Sequence, residues 1–344
     1  MPFDVVHGQP AAVETLTRAL ERRQVHHAYR FEGPEGVGKE LAAMALAQAL
    51  VCTAGVTLGC GRCEACRRAL AMTEAEPIVP LHPDVVLVGR GVYPPDLIGG
   101  KKELSEISIE QVRRVVLSRV AYSPHEGRAQ LFIVRAADEL GVAAANALLK
   151  TLEEPRPNTH FVLLTAQPET LLDTIRSRTL PIRFSPLSDD VLTTILRARG
   201  VDEGRIRGAV DVADGSASRA LEATIPEASG AREAFVSSLL ECVRAADLGA
   251  AVKFAEGLDL ERRELAAGLL AVGQSFARSA RQLVSEDPRR AEVAAIRHGL
   301  VLEAIDAVER NGVANLVLVS LVASLRTGRQ VRPGSKPPVV VARR

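Results

Sequence analysis

The sequence predicts an α/β module built on a parallel sheet, then a small helical lid domain, then an all-α C-terminal domain. Three observations lead there. Short apolar runs alternate with helical patterns through about residue 186. After Phe184 the strand-like runs stop and only helical periodicity continues. Aromatic residues make up 3% of the chain and Trp is absent, so the core is Leu, Val, Ile and Ala, which suits helices and short parallel strands better than a sandwich.

In chain order, strands are expected at Ala28–Phe31, Asp84–Val88, Leu131–Val134, Phe161–Thr165 and Leu180–Phe184. These runs are apolar on both faces, as strands covered by helices on both sides must be. Helices are expected around them at Pro10–Arg22, Gly38–Val51, Ile109–Val120, Val142–Glu154 and Pro168–Arg176. Pro155 stops the fourth of these. Gly91–Lys102 reads as a long loop.

The predicted domains are 1–186 (the α/β module, with an insertion at 52–66), 187–228 (helical lid), 229–326 (helical domain) and 327–344 (a basic Gly/Pro-rich tail expected to be disordered). Ser185–Pro186–Leu187–Ser188 reads as the linker into the lid, with Ser188 or Asp189 as N-cap. Three small helices are expected in the lid. Ile225–Pro226 and Ser229–Gly230 then punctuate the pattern. Longer helices follow at Ala231–Ala245, Asp247–Glu256, Leu260–Leu283, Arg289–Arg310 and Ala314–Leu325.

The net charge of +1 excludes a global basic field, so any contact with DNA must be local or made through partners. MPFDVVHGQP does not read as a signal peptide, and no apolar run is long enough to span a bilayer. The expectation is a cytoplasmic protein without a membrane partner, in a compartment that keeps thiols reduced.

Four of the five cysteines crowd into VCTAGVTLGCGRCEAC: Cys52, Cys60, Cys63 and Cys66. Two C-x2-C steps let turns present thiolates to one tetrahedral ion, which points to structural zinc. The alternative is four free, oxidisable thiols. Cys242 lies in an apolar helical pattern and is expected in a core.

The stretch FEGPEGVGKE, Phe31–Glu40, follows a strand and opens a helix. Gly33, Gly36, Gly38 and Lys39 fit a phosphate-binding loop, whose backbone N–H groups face an anion. The next residue of that pattern is Ser or Thr, whose hydroxyl holds Mg²⁺; here it is Glu40. The acidic residue that ends a neighbouring strand in such sites is also missing, because Leu131–Val134 is followed by Arg135 and Ala136. Asp138 and Glu139 come later and read as the start of the next helix. A Gly-rich turn that joins strand to helix, or a loop holding nucleotide without turnover, both remain open on these residues. Arg178, just before a strand, reads on its own as a surface residue or as an arginine able to reach across an interface.

FEGPEGVGK, the cysteine cluster, ANALLKTLEEP (Ala145–Pro155) and the Ser177–Arg178 pair together resemble the clamp-loader subunits of bacterial DNA polymerase III, members of the AAA+ group. The resemblance covers nearly the whole chain. It implies an AAA+ module, a lid, and a helical collar used for oligomerisation. Within the family, Glu40, Arg135 and Ala136 are similar to the delta-prime type, which keeps the fold with a decayed site, and not to the ATP-hydrolysing gamma/tau type. The resemblance implies that Arg178 acts in trans on a gamma/tau ATP site. It implies gamma/tau and delta subunits as partners, and the sliding clamp and primed DNA through the complex. It implies ATP or ADP bound, if at all, without hydrolysis. Thr165 matches the family's sensor position. Arg219 falls one residue past the family's lid arginine and does not inherit its role.

Two other readings are a gamma/tau-type ATPase, with Glu40 on Mg²⁺ and Asp138 as its acid, and a zinc-containing nucleic-acid-binding module using the tail. The near-zero charge and the lack of stacking aromatics count against the second.

Overall fold

A computed structural model describes residues 1–99, 106–245, 247–258, 260, 262–309 and 312–328. Residues 329–344, most of the predicted tail, lie outside the described residues, as do residues 100–102 of the predicted 91–102 loop. The chain divides into two units, Met1–Leu221 and Glu222–Arg344.

The first unit is organised by five strands: β1 (Ala28–Glu32), β2 (Val85–Val88), β3 (Gln130–Val134), β4 (Thr159–Thr165) and β5 (Leu180–Arg183). All pairings are parallel and the spatial order is β2-β3-β4-β1-β5. Each predicted strand is present, displaced by at most two residues at either end. β2 and β3 are buried along their whole length, which explains their unbroken Val, Leu, Ile and Phe runs. Phe132 and Phe161 face each other across β3 and β4, with rings stacked at 5.1 Å and no exposure.

Besides a single helical turn, Pro95–Ile98, inside the segment expected to be a loop, the helices of this unit are α1 (Pro10–Glu21), α2 (Lys39–Val51), α3 (Glu64–Leu70), α4 (contiguous parts Ile109–Gln111, Val112–Leu117 and Ser118–Val120), α5 (Val142–Glu153), α6 (Asp173–Arg176), α7 (Asp189–Ala198), α8 (Glu203–Ala213) and α9 (Ala217–Ala223). The middle part of α4 is π-helical. Leu148 and Leu152 of α5 and Val112 and Val116 of α4 pack on one face of the sheet with Phe132 and Phe161. α5 stops at Glu153 because Pro155 disfavours helical backbone at the residue before it. Of the two candidate caps for the lid, Ser188 is the one used, its hydroxyl accepting from the Val191 N–H at 3.4 Å. The three small helices expected there are α7, α8 and α9.

Three expectations are corrected. Pro168–Arg176 is not one helix. A 3-10 turn, Pro168–Thr170, is followed by extended backbone at Leu171, and α6 begins at Asp173. Leu171 and Ile175 are buried in one core, with Leu172 packed against it. Asp138 and Glu139 do not start α5; they belong to the separate 3-10 turn Ala137–Glu139. α3 was not anticipated, because its seven residues carry too little periodicity.

The second unit contains α10 (Pro226–Arg244), α11 (Gly249–Glu256), α12 (Arg262–Leu283), α13 (Pro288–Glu309) and α14 (Ala314–Thr327). Ile225–Pro226 does mark a boundary: α9 ends at Ala223, Ile225 caps α10 in extended backbone and Pro226 is its first residue; Ser229–Gly230 does not, because the helix runs on through Gly230. The core of this unit includes Leu239, Leu269, Val272, Val301, Leu318 and Leu325. Cys242 is buried in it, as expected. Among the described residues, no helix is long and apolar enough to cross a membrane.

Replacing Phe132 by Ala should cost about 3–5 kcal/mol of stability in the first unit. Urea unfolding monitored on that unit tests this, and a loss below about 1 kcal/mol would contradict a packed sheet centre.

Candidate functional site

Gly33–Lys39 joins β1 to α2 at the C-terminal edge of the sheet. Gly33, Gly36 and Gly38 all have positive φ (146°, 72° and 99°). Two of these positions also lack room for a side chain. A Cβ on Gly33 would lie 2.2 Å from the Phe184 carbonyl oxygen, and one on Gly36 would lie 2.2 Å from the hydroxyls of both Ser216 and Ser218. The lid therefore rests on the loop, and the Ala217 N–H donates to the Gly36 carbonyl at 2.9 Å.

Lys39 is buried and turned back on its own loop. Its ammonium donates to the Gly33 carbonyl, and to the Pro34 carbonyl at 2.6 Å. Burial lowers its pKa, opposed by the charges of Glu35 and Asp138. Gln9, buried, braces the loop from the N-terminal segment. Its amide donates to the Val37 carbonyl (3.1 Å) and the Ser185 carbonyl (2.7 Å) and accepts from the Ser185 N–H (3.0 Å).

Glu40 and Arg135, the two departures from a hydrolytic site, meet each other. The Arg135 Nε donates to Glu40 Oε2 at 2.8 Å, and its Nη2 pairs with Oε1, a two-pronged ion pair. Arg135 leaves the end of β3, where the missing acid would stand, and Glu40 sits in the first turn of α2, where the hydroxyl would stand. A carboxylate already saturated by a guanidinium does not fit the inner coordination of Mg²⁺. Asp138 is engaged elsewhere. Its carboxylate accepts from the Thr165 hydroxyl at 2.6 Å and the Ala166 N–H at 3.3 Å. Thr165, the sensor position, is thus tied to Asp138. Arg219 lies 3.8 Å from Asp214. The three glycines keep positive φ along the loop, and Glu40 and Arg135 form a salt bridge beside it.

Arg178 lies elsewhere. It precedes β5, at the N-terminal edge of the sheet, whereas the loop follows β1 at the C-terminal edge. The five residues of β1 separate the two edges by about 16 Å. Arg178 Nη1 donates to the Thr174 carbonyl (2.8 Å) and the Ser177 hydroxyl (3.1 Å), and its Nη2 pairs with Glu153 at the end of α5. The turn that carries it, Arg176–Thr179, is held from beneath by Arg30 of β1.

The four clustered cysteines also come together. Their sulfurs all lie within 4.8 Å of one another, and Cys60 and Cys66 are 4.0 Å apart. Four thiolates around one Zn²⁺ would sit roughly 3.8 Å apart, so the set fits a tetrahedral ion. The cluster hangs from the end of α2: Gln48 donates to the Cys66 carbonyl at 2.9 Å and accepts from its thiol at 3.5 Å. Burial works against the Cys63 thiolate, but donors from Cys66 and Thr53 outweigh it and bring its pKa down to about 5. Burial, reinforced by Cys63, pushes Cys66 up to about 12. A cation among the sulfurs is what would let all four ionise together.

The sequence model of the family described as "DNA polymerase III, delta subunit" matches residues 8–188, more than half of the chain. The chain belongs to this family. Its relatives span both branches of the clamp loader. The delta' subunit of Bacillus subtilis is 37% identical over 179 residues, 52% of this chain and 48% of that protein. The gamma/tau subunit of Mycobacterium tuberculosis is 36% identical over 187 residues, 54% of this chain and 29% of that protein. The matched region thus spans about half of the first relative's length and under a third of the second's. A gamma subunit-related protein of Thermotoga maritima superimposes over 92% of this chain and 99% of its own at a TM-score of 0.44 and 18% identity, a likeness too loose to build on. Sheet order, loop and lid make the first unit an α/β AAA+ module.

Gln9, Arg30 and Glu153 were not singled out in the sequence. Arg30 and Glu32 carried a signal: two charges inside an otherwise apolar strand, spaced to share one face.

The Glu40–Arg135 pair is about two-fifths exposed on both sides, so its net worth is modest despite two prongs. A double-mutant cycle with Glu40→Gln and Arg135→Met should give a coupling of about 1 kcal/mol. No coupling at low salt would mean that the two residues do not pair in solution.

Proposed function

We propose that this chain is the non-hydrolysing, delta-prime-type subunit of a DNA polymerase III clamp loader. The observation that carries this reading is the Glu40–Arg135 ion pair, which stands where a magnesium-dependent ATPase keeps a hydroxyl and an acid. Such a subunit retains the AAA+ shape and helps build a ring without turning over ATP itself. Its partners would be gamma/tau and delta subunits, and through the complex the sliding clamp and primed DNA. Residues 187–228 would form the lid and 229–326 the collar through which it assembles.

Arg178 would be the chain's contribution to catalysis. At the sheet edge opposite its own loop, it cannot serve that loop but can face a neighbouring subunit. A guanidinium delivered to a neighbour's γ-phosphate stabilises the charge that spreads over the transferring group. Gly33, Gly36, Gly38 and Lys39 would hold at most the phosphates of ATP or ADP.

A gamma/tau-type ATPase is the second reading, favoured by the intact glycines, by Lys39 and by the 36% identity to gamma/tau relatives. Steady-state hydrolysis by the purified chain with Mg²⁺ATP and primed DNA separates the two. No turnover is expected; turnover abolished by Lys39→Ala would move the chain to the ATPase branch. In the complex with a gamma/tau subunit, Arg178→Ala should lower hydrolysis at the shared interface by about 10³–10⁵-fold. An unchanged rate in an intact complex would refute the role of Arg178.

The cysteine cluster is read as structural zinc on Cys52, Cys60, Cys63 and Cys66. Protein purified without chelator should contain about one zinc per chain. Cys63→Ser should release it and loosen residues 52–66, seen as faster amide exchange there. A metal-free parent protein with the same protection would show that the cluster is four thiols only.

A further inference from the structure

Arg30 is a charged residue in the middle of a buried parallel strand, and the reading above gives it nothing to do. It is 7% exposed. Its Nε donates to Glu32 Oε1 at 2.6 Å. Its Nη1 donates to the Arg176 carbonyl at 3.0 Å and to the Thr179 hydroxyl at 2.7 Å. Thr179 is itself buried, and its hydroxyl donates onward to the Ile175 carbonyl at 2.9 Å. The residues that Arg30 grips, Arg176 and Thr179, bracket Ser177 and Arg178.

A buried guanidinium is costly unless its donors are satisfied, and apolar side chains of similar size would serve the core as well or better. What the pair provides is geometry. Glu32 fixes the orientation of the Arg30 fork, and the fork fixes the turn against β1. Glu153 then holds the tip of Arg178 from the end of α5. The arginine is thus anchored at its base by β1, which lies between β4 and β5, and at its end by the helix that follows β3.

We propose that Arg30 is a positioning residue for Arg178, with Glu32 as its orienting partner and Thr179 as the group it holds. This rests on the reading of Arg178 as an arginine acting on a neighbour's ATP. Arg30 does not touch that ATP. It sets where the Arg178 guanidinium starts from, and so how much of the neighbour's transition state it meets. A displacement of about 1 Å at such a group is enough to cost around a hundredfold in rate.

The test uses the reconstituted complex with a gamma/tau-type ATPase, and reads ATP hydrolysis against ATP concentration. The Arg178-dependent turnover is first defined by comparing the parent complex with one carrying R178A. The variant R30M/E32Q removes both charges together, so that no lone carboxylate is left buried. It should lower the Arg178-dependent kcat about 10- to 100-fold, leave KM for ATP unchanged, and cause no further loss when combined with R178A. T179V, which removes only the hydroxyl that Arg30 grips, should shift kcat in the same direction, and it decides the matter if R30M/E32Q does not assemble.

Two results overturn the proposal and are told apart by the R178A arm. If R178A matters but R30M/E32Q and T179V leave kcat at the parent value, or add to the loss in the R178A background, Arg30 serves only the fold and the reading of Arg178 stands. If R178A itself leaves turnover unchanged, the reading of Arg178 fails and the positioning role fails with it.

Discussion

The parallel register of β1 between β4 and β5 is the constraint on which the first unit depends. Ala28 to Glu32 pair with Phe161 to Thr165 on one side, and Tyr29 to Glu32 with Leu180 to Arg183 on the other. Because all three strands point the same way, whatever follows β1 and β4 gathers at one edge, and whatever precedes β5 lies at the other. The loop, Thr165 and the end of β3 therefore share one edge. Arg178 belongs to the opposite one. The sheet therefore presents two separate ends, one carrying the glycine loop and the other Arg178.

At the loop edge, chemistry has been exchanged for structure. A metal-dependent site needs a hydroxyl and a carboxylate left available for Mg²⁺ and its waters. Here the carboxylate of Glu40 and the guanidinium of Arg135 neutralise one another, Thr165 is satisfied by Asp138, and the Lys39 ammonium is satisfied by loop carbonyls. Each group that could organise a reaction is already occupied by a neighbour. The lid adds to this, with Ser216 and Ser218 against Gly36. Such an arrangement preserves the outline of the loop while its charged groups are tied to their neighbours.

At the other edge, charge is kept where stability alone would not ask for it. Arg30 and Glu32 occupy a face of β1 that Leu or Val could fill. The energetic case for a buried ion pair is weak unless it fixes a conformation, and the conformation fixed here is that of the Arg176–Thr179 turn. At the end of α2 the four cysteine sulfurs gather within 4.8 Å of one another, with Cys52 and Cys66 buried.

The sequence by itself determined the elements. Apolar runs of four or five residues alternating with helical patterns marked all five strands, and helical periodicity marked the long helices, because those signals are local. It also showed that the pattern of a hydrolytic loop is broken at Glu40, Arg135 and Ala136, and it singled out Cys52, Cys60, Cys63 and Cys66, which the structure brings together. The break at Leu171 was not legible, since Leu171, Leu172 and Ile175 are spaced as one face of a continuous helix would space them. Only the tertiary structure decided that Glu40 and Arg135 are partners, that Asp138 serves Thr165, and that Arg30 holds the turn of Arg178. These pairs lie 95, 27 and about 146 residues apart in the chain. No spacing rule links such positions. They meet because the sheet order β2-β3-β4-β1-β5 brings distant strand ends together, and a charge finds its partner in space and not in sequence.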